Sequence, residues 1–233
     1  LGFPGTIGAE FMDYIVVDPV LATAEQRAHL TESLIVMPHS YQPNDDRRPV
    51  PEDPGGRAAH GLPEDALVLC CFNNSYKISP REFDIWMRIM QQAENTVLWL
   101  LKPSDLTADN LRREAAQRGV DPERIVFADR VENERHLARH RHADLFVDTF
   151  AYNAHTTASD ALWMGLPVLT MAGEQFAARV GASLLTAVGL PELITTSEAE
   201  YETAILALVR APERLTELRQ RLDAGRRAAP LFD

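Results

Sequence analysis

The chain has 233 residues, of which 45% are hydrophobic and 24% charged, a composition typical of a globular protein with one sizeable core. Its formal net charge of -11 and pI near 5.1 argue against a protein that coats nucleic acid or an anionic membrane. No apolar run reaches the roughly 20 residues of a membrane-spanning helix. We therefore expect neither nucleic acid nor a membrane as a partner.

The first sixty or so residues offer two short predicted strands, DYIVVD and LIVM. A stretch rich in Pro, Gly and charge follows from about Pro43 to Gly61, and it predicts a loop or interlobe linker. We place a domain boundary near residue 60, so that residues 1–60 are the tail of a preceding lobe plus its linker. The chain opens with Leu1 rather than Met, and we expect its true N-terminus to lie further upstream.

From about Leu67 onward, short apolar runs alternate with longer amphipathic stretches. Predicted strands cover residues 67–72, 96–101, 124–127, 144–148, 167–171 and 192–194, and predicted helices cover 81–92, 107–118, 132–141, 156–164, 176–188 and 198–210. Apolar strands separated by helices are typical of a parallel sheet covered on both faces. Residues 61–233 are therefore predicted to form one doubly wound α/β domain with a parallel sheet.

The two cysteines, Cys70 and Cys71, are adjacent within the first of these strands. Successive strand residues point to opposite faces, so a structural disulfide is disfavoured. This usage favours a reducing compartment, and we expect the protein to be cytoplasmic.

Ligands of such sheets bind beyond the carboxyl ends of the strands, which directs attention to three loops. After LVLCCF, the loop NNSYKIS carries Asn74 and Lys77. A polar turn in which Ser79 caps the next helix explains this loop equally well. After RIVFADR, a helix carries His136, which is also consistent with a surface or capping residue.

The third loop, in DLFVDTFAYNAHTTASDALWMG, is the strongest signal. It leads into a helix whose first turns carry His155, Thr156, Thr157 and Asp160. Helix N-termini present unpaired N–H groups and the positive end of a dipole, and threonine hydroxyls add donors, so a diphosphate fits here. A plain threonine cap explains one of these residues but not the whole run.

Together these loops supply a cation and hydroxyls for a pyrophosphate, a carboxylate for a ribose and imidazoles for a nucleobase. Neither GxGxxG nor GxxxxGK[ST] occurs, which disfavours a dinucleotide fold and a P-loop hydrolase. Spacing suited to a metal is also lacking, since HRHAD around His140 and His142 is better interpreted as a solvated helix end.

At these positions the sequence resembles the catalytic region of protein O-GlcNAc transferases. The similar segments are LGFPGTIGAEFMDYIVVD, MPHSY, CFNNSYKISPREFDIW, TVLWLL, HTT with DALWMGLPVLTMAGE, and the terminal APLFD. The resemblance implies an inverting, metal-independent enzyme of two Rossmann-like lobes, the GT-B arrangement, that uses UDP-GlcNAc. This chain would be the C-terminal, donor-binding lobe of a compact, bacterial-type homologue.

The resemblance also assigns roles to individual residues. Lys77 would neutralise the leaving diphosphate, with Asn74 beside it, and His136 would stack on the uracil. The phosphates would be held by His155, Thr156 and Thr157, the ribose by Asp160, and Gly2 and Pro4 would lie near the sugar.

Some positions depart from the family pattern. Asn133 replaces a lysine of the animal enzymes, and Tyr152 and Ala154 replace a Cys and a Gly. The family's helical repeats and first lobe, which would meet the protein acceptor and supply the proposed catalytic base, are absent. Two other interpretations stay open: an O-fucosyltransferase of the SPINDLY type using a GDP-sugar, and a non-catalytic nucleotide-binding module.

Overall fold

The computed structural model describes residues 4–52 and 55–232. Eight strands occur in these residues: β1 (Tyr14–Val17), β2 (Ser33–Val36), β3 (Leu67–Cys71), β4 (Thr96–Leu101), β5 (Ile125–Ala128), β6 (Leu145–Val147), β7 (Val168–Met171) and β8 (Ile194–Thr195). The helices are α1 (Ala24–Arg27), α2 (Pro80–Gln92), α3 (Asp105–Gln117), α4 (Asn133–Arg139), α5 (Thr156–Trp163), α6 (Val180–Ala187), α7 (Glu198–Val209) and α8 (Pro212–Gly225).

A six-stranded sheet forms the centre of the fold, in the order β5-β4-β3-β6-β7-β8. Every neighbouring pair is parallel. The chain winds outward from β3 to β5 and then returns to the centre and winds the other way from β6 to β8. This is the doubly wound order, and its switch point lies between β3 and β6. The predicted parallel α/β sheet is confirmed.

Helices cover the sheet because its strands are apolar throughout. Leu69, Leu98, Leu145 and Phe146 are fully buried, as a sheet packed on both faces requires.

Polar capping residues in the loops after three strands fix where the next helices begin. α2 begins with a capping box in which Ser79 pairs with Glu82, and serines accept hydrogen bonds from the first turns of α3 and α7.

The predicted elements match the structure within about two residues at most boundaries. The segment predicted as one helix over 176–188 is instead a 3-10 turn, Phe176–Ala178, followed by α6. α8 was not predicted, although Pro212 at its first position and the buried Leu215, Leu218 and Leu222 mark an amphipathic helix.

The N-terminal segment packs on the same core as the main sheet. β1 and β2 form a separate parallel pair, and Val17, Leu21 and Tyr41 join the buried apolar cluster. The carboxylate of Asp18 accepts a hydrogen bond from Ser183 of α6 at 2.6 Å. The boundary near residue 60 stays a prediction.

Candidate functional site

The loop after β3 carries Lys77 to the switch point of the sheet. A 3-10 turn, Ser75–Lys77, bends this loop before α2 begins. The Lys77 Nζ donates a hydrogen bond to the carbonyl of Asn153 at 3.0 Å and lies 3.8 Å from the ring centroid of Tyr152. Both partners belong to the loop after β6, so Lys77 lies where the two loops meet. Burial lowers the pKa of Lys77, and the negative charge of Asp148 opposes this shift.

The loop after β6 leads directly into α5, whose N-cap is His155. In the part of the chain that the structure describes, no side chain caps the first turn of this helix. Thr156 is exposed and Thr157 half-buried at this end. The ring of Tyr152 stacks on His155 with centroids 4.8 Å apart, so the side chain beneath Lys77 also adjoins the helix start.

The His155 ring is held by contacts on both nitrogens. Its Nε2 lies 3.2 Å from the carbonyl of Ala177, and its Nδ1 lies 3.4 Å from the hydroxyl of Tyr41. Because Ala177 offers a carbonyl oxygen, Nε2 carries the proton and Nδ1 accepts from the tyrosine. Burial lowers the pKa of His155 to about 4, so the ring is neutral at pH 7.

His136 lies about one turn into α4, beside the end of β3. Its ring is tilted against Phe72 with centroids 5.4 Å apart, and it meets His140 edge to face at 4.9 Å. Burial lowers the pKa of His136 to about 4, with the charge of Arg139 adding to the shift. The ring is therefore neutral at pH 7, which suits a flat contact with a base.

Arg139 packs with the rings of His136 and Phe72, and it was not predicted from the sequence. Its guanidinium contacts His136 Nδ1, donates to the carbonyl of Asp129 at 2.6 Å and lies 4.8 Å from the ring centroid of Phe72. Its Nε is buried and has no hydrogen-bond partner among residues 4–52 and 55–232. An arginine three residues after a histidine on a helix was the available signal, because that spacing places both on one face.

Asn74 connects the Lys77 loop to the loop after β5. Its side-chain oxygen accepts from Arg130 Nη2 at 2.9 Å. A cavity of about 590 Å³ opens beside this pair, and Tyr76 and Ser104 also line it. Asn74 thus lies on the rim of an open volume between the loop after β3 and the start of α3.

Asp160 is not free in the structure. Arg48, from the Pro-rich stretch, reaches its carboxylate at 2.5 Å. Burial raises the pKa of Asp160, and the hydrogen bond from Arg48 opposes this shift. The same stretch runs along α5, where Gln42 donates to Ser159 at 2.7 Å and Pro49 accepts from the Trp163 indole at 3.3 Å. A ribose at Asp160 would have to share it with Arg48.

Two predicted residues lie in the N-terminal segment. Gly2 is outside the described residues. Pro4 is half-buried, and the chain just after it is held by Glu32, which accepts from the Thr6 hydroxyl and the Ile7 amide at 2.7 Å each. Their predicted position near the sugar stays a prediction.

The prediction that HRHAD is a solvated helix end is wrong for its first histidine. His140 is fully buried, and its Nδ1 lies 2.8 Å from the carbonyl of His136. The cause is its position directly after α4, where its ring turns inward and packs edge to face on Phe72 with centroids 5.0 Å apart. Within the described ranges, no group of three or more His, Cys, Asp or Glu side chains could hold a metal ion.

Sheet order and site together define a class of protein. A doubly wound parallel sheet, with a cation and an uncapped helix start at its switch point, is the nucleotide-binding type of α/β domain. Solved structures of glycosyltransferases have the same fold, the Rossmann-like lobe of the GT-B arrangement. WaaG, a glycosyltransferase of lipopolysaccharide biosynthesis, shares the fold with a TM-score of 0.66 at 16% identity over 98% of this chain and 62% of its own.

The chain belongs to glycosyl transferase family 41, whose profile matches residues 1–52 and 54–233. A mutant of the Thermobaculum terrenum O-GlcNAc transferase superposes with a TM-score of 0.86 at 30% identity, over 100% of this chain and 44% of that one. The resemblance found in the sequence is thereby confirmed.

Curated relatives agree with this family. The probable UDP-N-acetylglucosamine--peptide N-acetylglucosaminyltransferase SEC of Arabidopsis thaliana is 37% identical over 239 residues, covering 100% of this chain and 24% of its own length. The probable UDP-N-acetylglucosamine--peptide N-acetylglucosaminyltransferase SPINDLY of rice is 31% identical over 241 residues, covering 100% of this chain and 25% of its own length. The chain therefore spans about a quarter of the length of these relatives.

None of the helices among the described residues is long and apolar enough to cross a membrane. Cys70 and Cys71 are both buried and free.

Proposed function

We propose that this chain binds the nucleotide-sugar donor of an enzyme that transfers N-acetylglucosamine from UDP-GlcNAc to Ser or Thr hydroxyls of proteins. The observation that carries the proposal is the meeting of Lys77 with the start of α5 at the switch point of the sheet. The name of the SEC relative, a probable UDP-N-acetylglucosamine--peptide N-acetylglucosaminyltransferase, supports the same donor and a peptide acceptor.

The diphosphate would lie between Lys77 and the first turn of α5. The amides at this helix start and the hydroxyls of Thr156 and Thr157 supply donors without a charge, and Lys77 supplies the cation. His155 would contribute mainly by shaping this turn, since both of its ring nitrogens already have partners within the chain.

The base would lie toward α4, with the ring of His136 as a neutral platform. Arg139 would hold the His136 ring in place, and Asn74, beside Lys77 in the loop after β3, would lie near the phosphates. The ribose would lie near Asp160, where Arg48 now pairs with the carboxylate.

In the proposed reaction, the acceptor hydroxyl oxygen attacks the anomeric carbon as the bond from that carbon to the diphosphate oxygen breaks, with inversion. Negative charge then accumulates on the departing UDP. Lys77 and the α5 start would stabilise this charge without a metal. The base that takes the hydroxyl proton would come from the preceding lobe. The parts of the protein beyond this chain would also bind the acceptor, and we propose that the reaction takes place in the cytoplasm.

The test is UDP binding to a protein in which Thr156 and Thr157 are both replaced by valine, which keeps their shape. Each lost hydroxyl bond to a charged ligand is worth about 1.5–3 kcal/mol, so calorimetry should show UDP affinity at least about a hundredfold weaker when both are lost. Thr216→Val on α8, where the hydroxyl bonds the carbonyl of Pro212, is the matched control and should bind normally. Unchanged UDP affinity in the double variant would remove the phosphate assignment.

A further inference from the structure

One buried carboxylate at the switch point has no role in the reaction proposed above. Asp148 follows β6 directly and is fully buried. Its Oδ1 accepts hydrogen bonds from the amides of Thr149 at 2.8 Å and Ala154 at 2.7 Å, and its Oδ2 accepts from the Thr170 hydroxyl of β7 at 2.7 Å. The carboxylate therefore joins the start and the end of the loop between β6 and α5.

The same carboxylate reaches the neighbouring loop. Asn73, at the end of β3, directs its Nδ2 to Asp148 Oδ1 at 3.3 Å and to the Thr149 hydroxyl at 2.9 Å. Four residues further on, Lys77 donates to Asn153, which lies just before the amide of Ala154 that Asp148 holds. The Asp148 carboxylate thus holds in place both the loop that carries Lys77 and the Asn153 carbonyl that accepts the Lys77 hydrogen bond.

Among the ionisable groups around the Asp148 carboxylate, Lys77 supplies the positive charge. The ionisable neighbours of Asp148 are Lys77, Cys71 of β3 and Tyr201 of α7. Glu82 of α2 acts on Cys71 and Tyr201, and His155, which is neutral at pH 7, acts on Lys77. Burial raises the pKa of Asp148 to about 7, and the Lys77 cation opposes the rise. Burial also raises the pKa of both Cys71 and Tyr201, so neither carries a charge at neutral pH.

We propose that Asp148 is a positioning residue: its carboxylate joins the loop after β3 to the loop after β6, favours the protonated form of the half-buried Lys77 and directs this ammonium toward the start of α5. Its part in turnover rests on the function proposed above. The coupling between Asp148 and Lys77 is a property of the chain itself and can be measured without a nucleotide.

The chain offers an unusually direct measurement, because Lys77 and Lys102 are its two lysines. Carbon-13 labelling at the lysine Cε gives two NMR signals, and the titration of each ammonium follows from its chemical shift. Lys102 is 43% exposed and lies 3.6 Å from both Asp105 and Asp129, so it reports any general change of the protein.

In Asp148→Asn, Lys77 should bind its proton about tenfold more weakly, because a buried negative charge near it is gone. Lys102 should titrate as before. Two controls separate charge from structure. Asp144→Asn removes a carboxylate from the opposite end of β6, where it pairs with Arg57 at 2.8 Å. Thr170→Val removes one hydrogen bond to Asp148 and leaves its charge. Both should leave the Lys77 titration in place.

Wild-type protein provides a second readout that needs no variant to fold. The Lys77 signal should shift in a step as Asp148 titrates near pH 7, and the Lys102 signal should not. In the full-length enzyme, Asp148→Asn should also move the alkaline limb of the kcat profile to lower pH, with a smaller change in donor KM.

The coupling is refuted if Lys77 shows no such step in the wild type, or if its titration in folded Asp148→Asn is unchanged. It is equally refuted if Asp144→Asn moves Lys77 as far as Asp148→Asn does. A wild-type chain that shows the coupling but does not bind UDP would overturn the proposed function and leave the coupling intact. The reverse result would overturn this inference alone.

Discussion

Replacing Lys77 by methionine should separate turnover from stability. Methionine has nearly the same length and fills the same space beside Tyr152. The fold loses the hydrogen bond to Asn153, worth about 1 kcal/mol, the cation–π contact, worth about 0.5–1 kcal/mol, and the attraction between Lys77 and the Asp148 carboxylate. Burial of the ammonium costs free energy, and this cost is the cause of the lowered pKa of Lys77. The methionine variant avoids it. These changes offset one another, so the free energy of unfolding should change by less than about 1 kcal/mol.

Turnover should respond far more strongly. An interaction that strengthens as the glycosidic bond breaks lowers the barrier, whereas one of constant strength merely tightens binding. By comparison with other single electrostatic stabilisers, kcat should fall about a hundredfold or more, which is about 2.7 kcal/mol of barrier. The donor Kd should rise by no more than about tenfold. Lys77→Arg should restore the rate incompletely, because a planar guanidinium does not replace a compact ammonium.

The assay is single-turnover kinetics and donor titration on the full-length protein, with urea unfolding of the same variants. Equal losses of affinity and kcat/KM, with kcat intact at saturating acceptor, would show that Lys77 merely binds the donor. A loss of several kcal/mol in unfolding free energy would show instead that the lysine is structural. Either result refutes the reasoning.

Three further predictions concern other groups of the site. His136→Phe should keep most of the UDP affinity and His136→Ala should lose more, because the contact is with the ring face; equal losses in calorimetry would favour a hydrogen-bonding role. Arg48→Met should lower the unfolding free energy by about 1–3 kcal/mol, since Asp160 is left without its partner. In thermal unfolding, added UDP should restore part of the lost stability of this variant. No stabilisation by UDP would contradict a ribose at Asp160. Stability should fall as the pH falls from 6.5 toward 4. Burial lowers the pKa values of His136 and His155 to about 4 and that of His140 to about 3. In this pH range the unfolded chain therefore takes up protons that the folded state does not. Burial also raises the pKa values of three carboxyls, that of Asp148 to about 7 and those of Asp160 and Glu82 in the same direction, and these groups act in the opposite sense between about pH 4 and 7. We expect the three histidines, each with its pKa lowered to about 4 or below, to outweigh them. Urea unfolding at pH 7 and pH 5 measures the balance, and equal stability at the two values would contradict it.

The main sheet could be predicted from the sequence because each strand is a short apolar run bounded by polar turns. The predicted strand 96–101 coincides with β4, and the order of the loops follows from the winding of the sheet. That order is why Lys77 and the helix start at Thr156, far apart in sequence, were expected at one edge. The structure brings both to the loops that flank the switch point.

The contacts that were missed depend on long-range packing. The pairing of Arg48 with Asp160 depends on the path of a Pro-rich stretch that has no periodicity of its own. The burial of His140 depends on which side of the short α4 faces Phe72, and a seven-residue helix carries too little pattern to show it. The closed loop at Asp148 is likewise made by amides and a hydroxyl whose positions appear only once the sheet has formed.

The measurement that tests the central claim most directly is calorimetric titration of the chain with UDP, UDP-GlcNAc and GDP. A donor site for UDP-GlcNAc requires that UDP and UDP-GlcNAc bind at one site and that GDP binds at least about tenfold more weakly. Preference for GDP would favour a transferase of the SPINDLY type that uses a GDP-sugar, and no binding of any of the three nucleotides would contradict a donor-binding role for this chain.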